Sequence, residues 1–366
     1  MMISAFFRRV RCLCLCTVWA VFMALSCRTA PVPQEILPDT EAGLEDELAE
    51  AIEEESFEEV EIPPYTGTLP VSSFGEIWGY LISGREDDLD LDSPVSDVGY
   101  FGAEIDSYGK LTTVPNRRNI SRYMGRVHMV VACNSRSLTH FVLAEGSDLR
   151  QELIDDLLLA ANSYDGLQID FELVPARDGA AFRSFLSELK KGLEGRMLTV
   201  ALPARNRTIQ NDVYDYAKIR PLVDRILVMA YDEHWSSSAP GPIASMRWCR
   251  AVASYALTVV GPEKLIMGLP FYGRAWGNDN PSRAYIFSGI ERIKRENNVH
   301  EVRRLDGIPT FTYEVPIAVT VFYEDDFSLS VRMEMYRSLG VKAIGFWRLG
   351  QESPTVWNIL ELRYTP

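Results

Sequence analysis

The feature that most constrains this chain is an alternation. From about Leu69 onward, short apolar runs rich in β-branched and aromatic residues take turns with longer amphipathic stretches. The runs are Glu76–Tyr80, Val98–Phe101, Val127–Ala132, Gly166–Glu172, Leu198–Pro203, Ile226–Tyr231, Lys264–Pro270 and Ala343–Trp347. Between several of them, residues 148–162, 179–192, 245–255 and 328–338 carry apolar side chains three and four apart, the spacing of one helix face. Eight strand-like runs joined largely by helical crossovers predict an α/β fold, a (β/α)8 barrel, which routinely takes a chain of this length as one unit. Little helical pattern separates the first three runs, whereas about seventy residues part the seventh from the eighth. A small α+β insertion at about 277–318, on the rim between strands seven and eight, accounts for that excess.

The ends of the chain read differently. Arg8, Arg9 and Arg11 precede an uncharged stretch from Cys12 to Ser26, long enough for a signal-peptide core and short for a bilayer span. It ends Ala24-Leu25-Ser26-Cys27, which resembles a lipoprotein box with Cys27 as the lipidated residue, so residues 1–27 are expected to be a signal peptide and lipoprotein leader. Residues 28–64 are expected to be an acidic linker, for 13 acidic residues and no Lys or Arg lie between Glu35 and Glu61. Residues 65–366 then form the barrel. Four of the 6 cysteines belong to the leader, leaving Cys133 and Cys249 as small core residues and no disulfide framework.

Charge narrows the partners. The formal net charge is -14, with no basic field to attract a phosphate backbone, so nucleic acid is excluded as a partner. With 13 of the 51 acidic residues in the linker, the rest of the chain is close to charge-balanced. His128, His140, His234 and His300 show no metal-ligand spacing, and neither a phosphate-binding glycine loop nor a nucleophile elbow is present. No metal and no cofactor are expected.

The chemistry gathers on the fourth run, Asp165-Gly166-Leu167-Gln168-Ile169-Asp170-Phe171-Glu172. Strand side chains alternate, so Gln168, Asp170 and Glu172 share one face and Leu167, Ile169 and Phe171 the other. The polar trio must point into the barrel. Two carboxylates near the C-terminal end of a barrel strand mark a site, because their desolvation cost is unsuited to filler; a structural interior ion pair is the alternative. Positions i and i+2 lie about 6.6 Å apart, like a glycosidase pair, yet both groups approach a sugar from the same side. The nucleophile must then come from elsewhere, and a 2-acetamido sugar brings its own carbonyl oxygen. In that reading Glu172 protonates the leaving oxygen, Asp170 holds the acetamido nitrogen, and the proximity of Asp170 raises the pKa of Glu172. Gln168 is expected to hydrogen-bond Asp170, which then feels no like charge from below and stays anionic to lower pH.

The run Asp165-Gly166-x-x-x-Asp170-x-Glu172 resembles the signature of glycoside hydrolase family 18, the chitinase-like barrels. The resemblance extends over Met229-Ala230-Tyr231-Asp232-Glu233-His234-Trp235, Pro240-Gly241-Pro242, Gly268-Leu269-Pro270-Phe271-Tyr272-Gly273, Val321-Phe322-Tyr323-Glu324-Asp325 and Gly345-Phe346-Trp347, and covers roughly Glu76 to Leu362. It is most similar to the bacterial branch that includes spore-cortex N-acetylglucosaminidases. The resemblance implies Glu172 as general acid/base, Asp170 as acetamido partner, Tyr231 as the hydroxyl gripping the acetamido oxygen, and Trp347 as an aromatic floor under the sugar. Tyr80, Asp232 and Tyr272 are expected to line the same cleft, with Asn134 and Gln168 as further substrate contacts. Larger chitinases have an Asp where Gln168 stands, which counts against classical chitinase activity. The resulting expectation is an exported, envelope-tethered hydrolase of β-linked N-acetylglucosamine in peptidoglycan. An endo-acting enzyme on N-glycans or chitin, and a non-catalytic carbohydrate-binding lipoprotein, are the alternatives.

Overall fold

The computed structural model describes residues 59–64, 66–277, 280–314 and 318–363. The leader, Cys27 and most of the acidic linker lie outside the described residues. Eight parallel strands form the centre: β1 (Glu76–Ile82), β2 (Asp97–Ile105), β3 (Arg126–Cys133), β4 (Gly166–Phe171), β5 (Met197–Pro203), β6 (Arg225–Met229), β7 (Leu265–Pro270) and β8 (Ala343–Trp347). Each pairs with its sequence neighbour, and β8 pairs back onto β1 through Ala343↔Glu76 to Phe346↔Gly79, which closes the barrel and removes its edges. Ser72–Phe74 and Leu360–Leu362 form a separate parallel pair that ties the start of the barrel to its end.

Around the strands lie helices α1 (Arg136–Leu143), α2 (Asp148–Ala161), α3 (Gly179–Gly192), α4 (Tyr216–Ile219), α5 (Met246–Val260), α6 (Phe287–Glu296) and α7 (Asp326–Leu339). Side-chain oxygens start several of them: Ser147 accepts from Arg150 N, Ser245 from Trp248 N and Asp325 from Ser328 N. The first three strands are joined without α-helix, by single turns at Glu86–Asp88 and Arg117–Ile120. α1 has no counterpart among the helical stretches read from sequence. It is only eight residues long, and its Phe141 faces solvent, so its apolar stripe is too brief to stand out.

Period-two alternation decides what each strand presents. On β4, Leu167, Ile169 and Phe171 point outward into the layer between strands and helices, where the Phe171 ring lies 5.6 Å from Phe185 and 6.4 Å from Phe182 of α3. The barrel interior holds Trp78, Tyr80, Val130, Ala201, Leu227, Ile266 and Ala343. Gln168 and Asp170 enter that interior as buried polar groups. The two cysteines of the barrel, Cys133 and Cys249, are buried and unbridged.

The insertion is a five-stranded antiparallel sheet in the order Asn280–Ile286, Tyr272–Gly277, Ala318–Phe322, Ile308–Glu314, Arg303–Leu305, with α6 beside it. Its own core comprises Ala275, Ile290, Ile293, Phe311, Val321 and Tyr323. The sheet is wider than 277–318 on both sides. Tyr272–Gly277 leaves β7 after a single residue and pairs with Ala318–Phe322, so the insertion begins where the barrel strand ends.

Candidate active site

Glu172 stands one residue past β4 at the C-terminal mouth, the end where barrels of this kind carry their sites. Its amide donates to Cys133 O at 3.0 Å, so strand pairing continues to the last residue that needs positioning. Asp170 is 7% exposed, and its buried Oδ1 has no hydrogen-bond partner. Burial first, and the neighbouring Glu172 charge second, push Asp170 up to about 8. Glu172 is likewise raised, by burial and then by Asp232. One sequence expectation is thereby corrected: Asp170 does not stay anionic to lower pH. The repulsion between Asp170 and Glu172 acts on both carboxyls, and Asp232 adds a further like charge on Glu172.

Gln168 explains part of that result. Its Oε1 accepts from the Tyr80 hydroxyl at 2.6 Å and its Nε2 donates to Thr199 Oγ1 at 3.0 Å. Both ends of the amide are occupied, and the expected bond to Asp170 is not made. Gln168 is fully buried and Tyr80 is 2% exposed, so neither is a surface of the cleft; they form the layer beneath it. The Tyr80 ring in turn supports Trp347, with centroids 5.6 Å apart, and Phe101 meets Trp347 edge-on at 4.9 Å. Trp347 is half-buried and keeps part of its surface at the mouth.

Tyr231 follows β6 with its ring edge-on to Tyr272, centroids 6.4 Å apart. Burial and then the charges of Tyr80, Asp170, Asp232 and Glu172 hold its phenol far above the ordinary range. Close approach requires Gly268 on β7, because a Cβ there would come 2.9 Å from Tyr231 Cε1. Asp232 accepts from the Tyr272 hydroxyl at 2.6 Å and faces the Arg274 guanidinium at 3.5 Å. Backbone strain brackets the pair. Asp232 has φ 59° and Leu173 φ 55°, left-handed conformations that cost a non-glycine residue about 1–2 kcal/mol and persist only where the surroundings impose them.

The structure therefore gathers Asp170, Glu172, Tyr231, Asp232, Tyr272 and Trp347 at one mouth. Asn134 lies just past β3, exposed, beside the strand end that carries Glu172. Cys27 is outside the described residues. Sequence reasoning missed Phe101 and Thr199. Phe101 closes the second apolar run, where an aromatic at a strand's C-terminal end was the available signal, while a threonine inside a strand carries none. His234 hydrogen-bonds Pro242 O through Nδ1 at 2.8 Å.

The description "Glycosyl hydrolases family 18" matches this chain over residues 111–352. The chain is 29% identical over 224 residues to the uncharacterized glycosylase YvbX of Bacillus subtilis (strain 168), covering 58% of this chain and 65% of that protein. It is 26% identical over 295 residues to the cortical fragment-lytic enzyme of Bacillus anthracis, covering 73% of this chain and 68% of that enzyme. Among solved structures, that of the Bacillus cereus spore cortex-lytic enzyme SleL shares the fold, with a TM-score of 0.71 at 22% identity over 80% of this chain and 74% of that one. Matched over more than half its length and folded as the same closed barrel, the chain belongs to glycosyl hydrolase family 18.

Proposed function

We propose that this protein is an exported glycosidase that hydrolyses β-linked N-acetylglucosamine in peptidoglycan fragments, with the substrate's own acetamido group as nucleophile. The observation that carries the reading is the unpartnered, buried Oδ1 of Asp170, two residues before Glu172 and close to the Tyr231 phenol. An acetamido N–H supplies the donor this oxygen lacks. Accepting that bond favours the carboxylate form, so binding draws Asp170 toward its anion and leaves the pair's proton on Glu172. The acetamido carbonyl oxygen, oriented by Tyr231, then attacks the anomeric carbon as the glycosidic bond breaks and Glu172 delivers its proton to the leaving oxygen. Water attacks the same carbon of the cyclic intermediate, the bond from that carbon to the acetamido oxygen breaks to restore the acetamide, the water's proton passes to Glu172, and the configuration is retained. Trp347 offers the apolar face of the sugar a flat partner.

The likeness to a cortical fragment-lytic enzyme supports wall-derived fragments as substrate. The uncharged run from Cys12 to Ser26 and the box ending in Cys27 support export and a lipid tether to the envelope. Mass spectrometry of a purified peptidoglycan digest tests bond and linkage together, and release of ends bearing reducing N-acetylglucosamine is expected. A thiazoline mimic of the cyclised intermediate is expected to inhibit, and a matched glucoside lacking the acetamido group to be inert. Efficient turnover of that glucoside would defeat the mechanism, and binding of wall fragments without any turnover would favour a carbohydrate-binding role.

A further inference from the structure

Tyr214 lies in the loop after β5, outside the group of residues at the mouth, yet it grips the chain on both sides of Glu172. Its hydroxyl donates to Phe171 O at 3.0 Å and accepts from Val174 N at 2.9 Å. One phenol thus bridges Glu172 and Leu173, and Leu173 is the residue held at φ 55°. The Leu173 side chain is 46% exposed and does little to hold this turn, so the restraint comes from neighbours. No hydrogen bond from another described residue fixes the Glu172 carboxyl. Its direction is set by the backbone that carries it.

The phenol is itself firmly held. Tyr214 N donates to Asp212 Oδ1 at 3.0 Å, and Asp212 receives a two-pronged pair from Arg205, at 2.7 Å from Nε and 3.3 Å from Nη2. Arg205 also donates to Ala204 O at 3.0 Å, next to the end of β5. The Tyr214 ring meets Phe182 of α3 edge-on at 6.2 Å. A continuous line of contacts therefore runs from the end of β5 through Arg205, Asp212 and Tyr214 to the peptide groups flanking Glu172.

We propose that Tyr214 is a positioning residue for Glu172: it locks the turn after β4 so that the carboxyl keeps a fixed line to the glycosidic oxygen of a bound sugar. The proposal rests on the reading of Glu172 as general acid. Small displacements of a reacting group cost rate steeply, whereas ground-state binding of the sugar, which relies on other side chains, is left alone.

The test compares wild type, Tyr214→Phe, Glu172→Gln and the double variant on phenyl and 4-nitrophenyl β-glycosides of N-acetylglucosamine and its disaccharide. Tyr214→Phe keeps the ring and removes both hydrogen bonds. It is expected to lower kcat on the phenyl glycoside about 10- to 100-fold with KM unchanged, and to matter much less on the nitrophenyl glycoside, whose leaving group needs little proton. The double variant is expected to be no slower than Glu172→Gln. Equal losses on both leaving groups, a change in KM alone, or multiplying losses in the double variant would overturn the proposal. Were Tyr214→Phe to fold poorly, Asp212→Ala, which frees the backbone of Tyr214 but keeps the phenol, must show the same leaving-group selectivity, and its absence would overturn the proposal equally. Wild-type turnover of the phenyl glycoside by Glu172→Gln would instead bring down the general-acid reading itself, whereas an impaired Glu172→Gln beside an unimpaired Tyr214→Phe defeats only the positioning role.

Discussion

Asp170 is a carboxyl held almost wholly out of water with one oxygen unpaired, and its protonation is therefore coupled to folding. Its folded pKa, pushed up to about 8, lies above the ordinary carboxylate value of about 4. Between those values the native state binds more protons than the unfolded one, so this group's contribution to stability is fully present below about pH 4 and is lost as pH rises toward 8. Asp170→Asn is expected to unfold like wild type near pH 4 and to be more stable near pH 8, by on the order of 2–5 kcal/mol. Urea unfolding at both pH values checks this; an advantage that did not grow with pH would contradict it. Gln168 makes a different prediction. Because its amide holds Tyr80 and Thr199, Gln168→Leu leaves two buried groups unpaired, at about 1–3 kcal/mol each, and its effect is expected in the unfolding midpoint rather than in the acidic limb of the rate profile.

At the scale of single elements, the path from barrel to insertion and back depends on how α7 begins. Asp325 accepts from Ser328 N at 2.9 Å while Ser328 Oγ accepts from Asp325 N at 3.0 Å, a reciprocal cap that satisfies two backbone donors. The same Asp325 carboxylate accepts from both terminal guanidinium nitrogens of Arg304, whose strand belongs to the insertion. One residue thus starts a barrel helix and clips the inserted sheet to it. Asp325→Ala is expected to cost about 1–2 kcal/mol in urea unfolding, and Asp325→Asn, which keeps a capping oxygen, distinctly less. Equal costs for the two would show that the ion pair with Arg304 and not the cap carries the effect. On β4 the alternation of Gln168, Asp170 and Glu172 against Leu167, Ile169 and Phe171 was legible in the sequence, since a period of two needs no knowledge of neighbours. Short α1 and the true start of the inserted sheet at Tyr272 were not legible. Eight residues carry little periodicity, and a strand that follows another after one residue reads as its continuation.

At the scale of the molecule, segments remote in sequence converge on a buried ion pair. Arg332 of α7 donates to Glu324 at 2.9 Å and to Ala244 O at 2.5 Å, and both charged side chains are almost wholly buried. The pair joins the exit of the insertion, the barrel helix that follows it and the approach to α5. Removing one partner strands the other charge, so Arg332→Met is expected to destabilise the protein by about 3–5 kcal/mol, while Glu324→Leu combined with Arg332→Met recovers most of that loss. Thermal unfolding of both variants decides it, and a double variant less stable than the single one would contradict the account.

Sequence by itself determined the eightfold alternation of strand and crossover, the family, and the strand face on which Asp170 and Glu172 stand, because each depends on residues a few positions apart. Only the tertiary structure decided which groups those carboxyls meet. Tyr80 is 88 residues from Gln168 and Thr199 is 31, the Asp232 charge acts on Glu172 from the segment after β6, and Tyr214 reaches the turn after β4 from 40 residues on. A pKa or a hydrogen bond is set by what the closed barrel packs around a side chain, and barrel closure brings those partners together from separate strands.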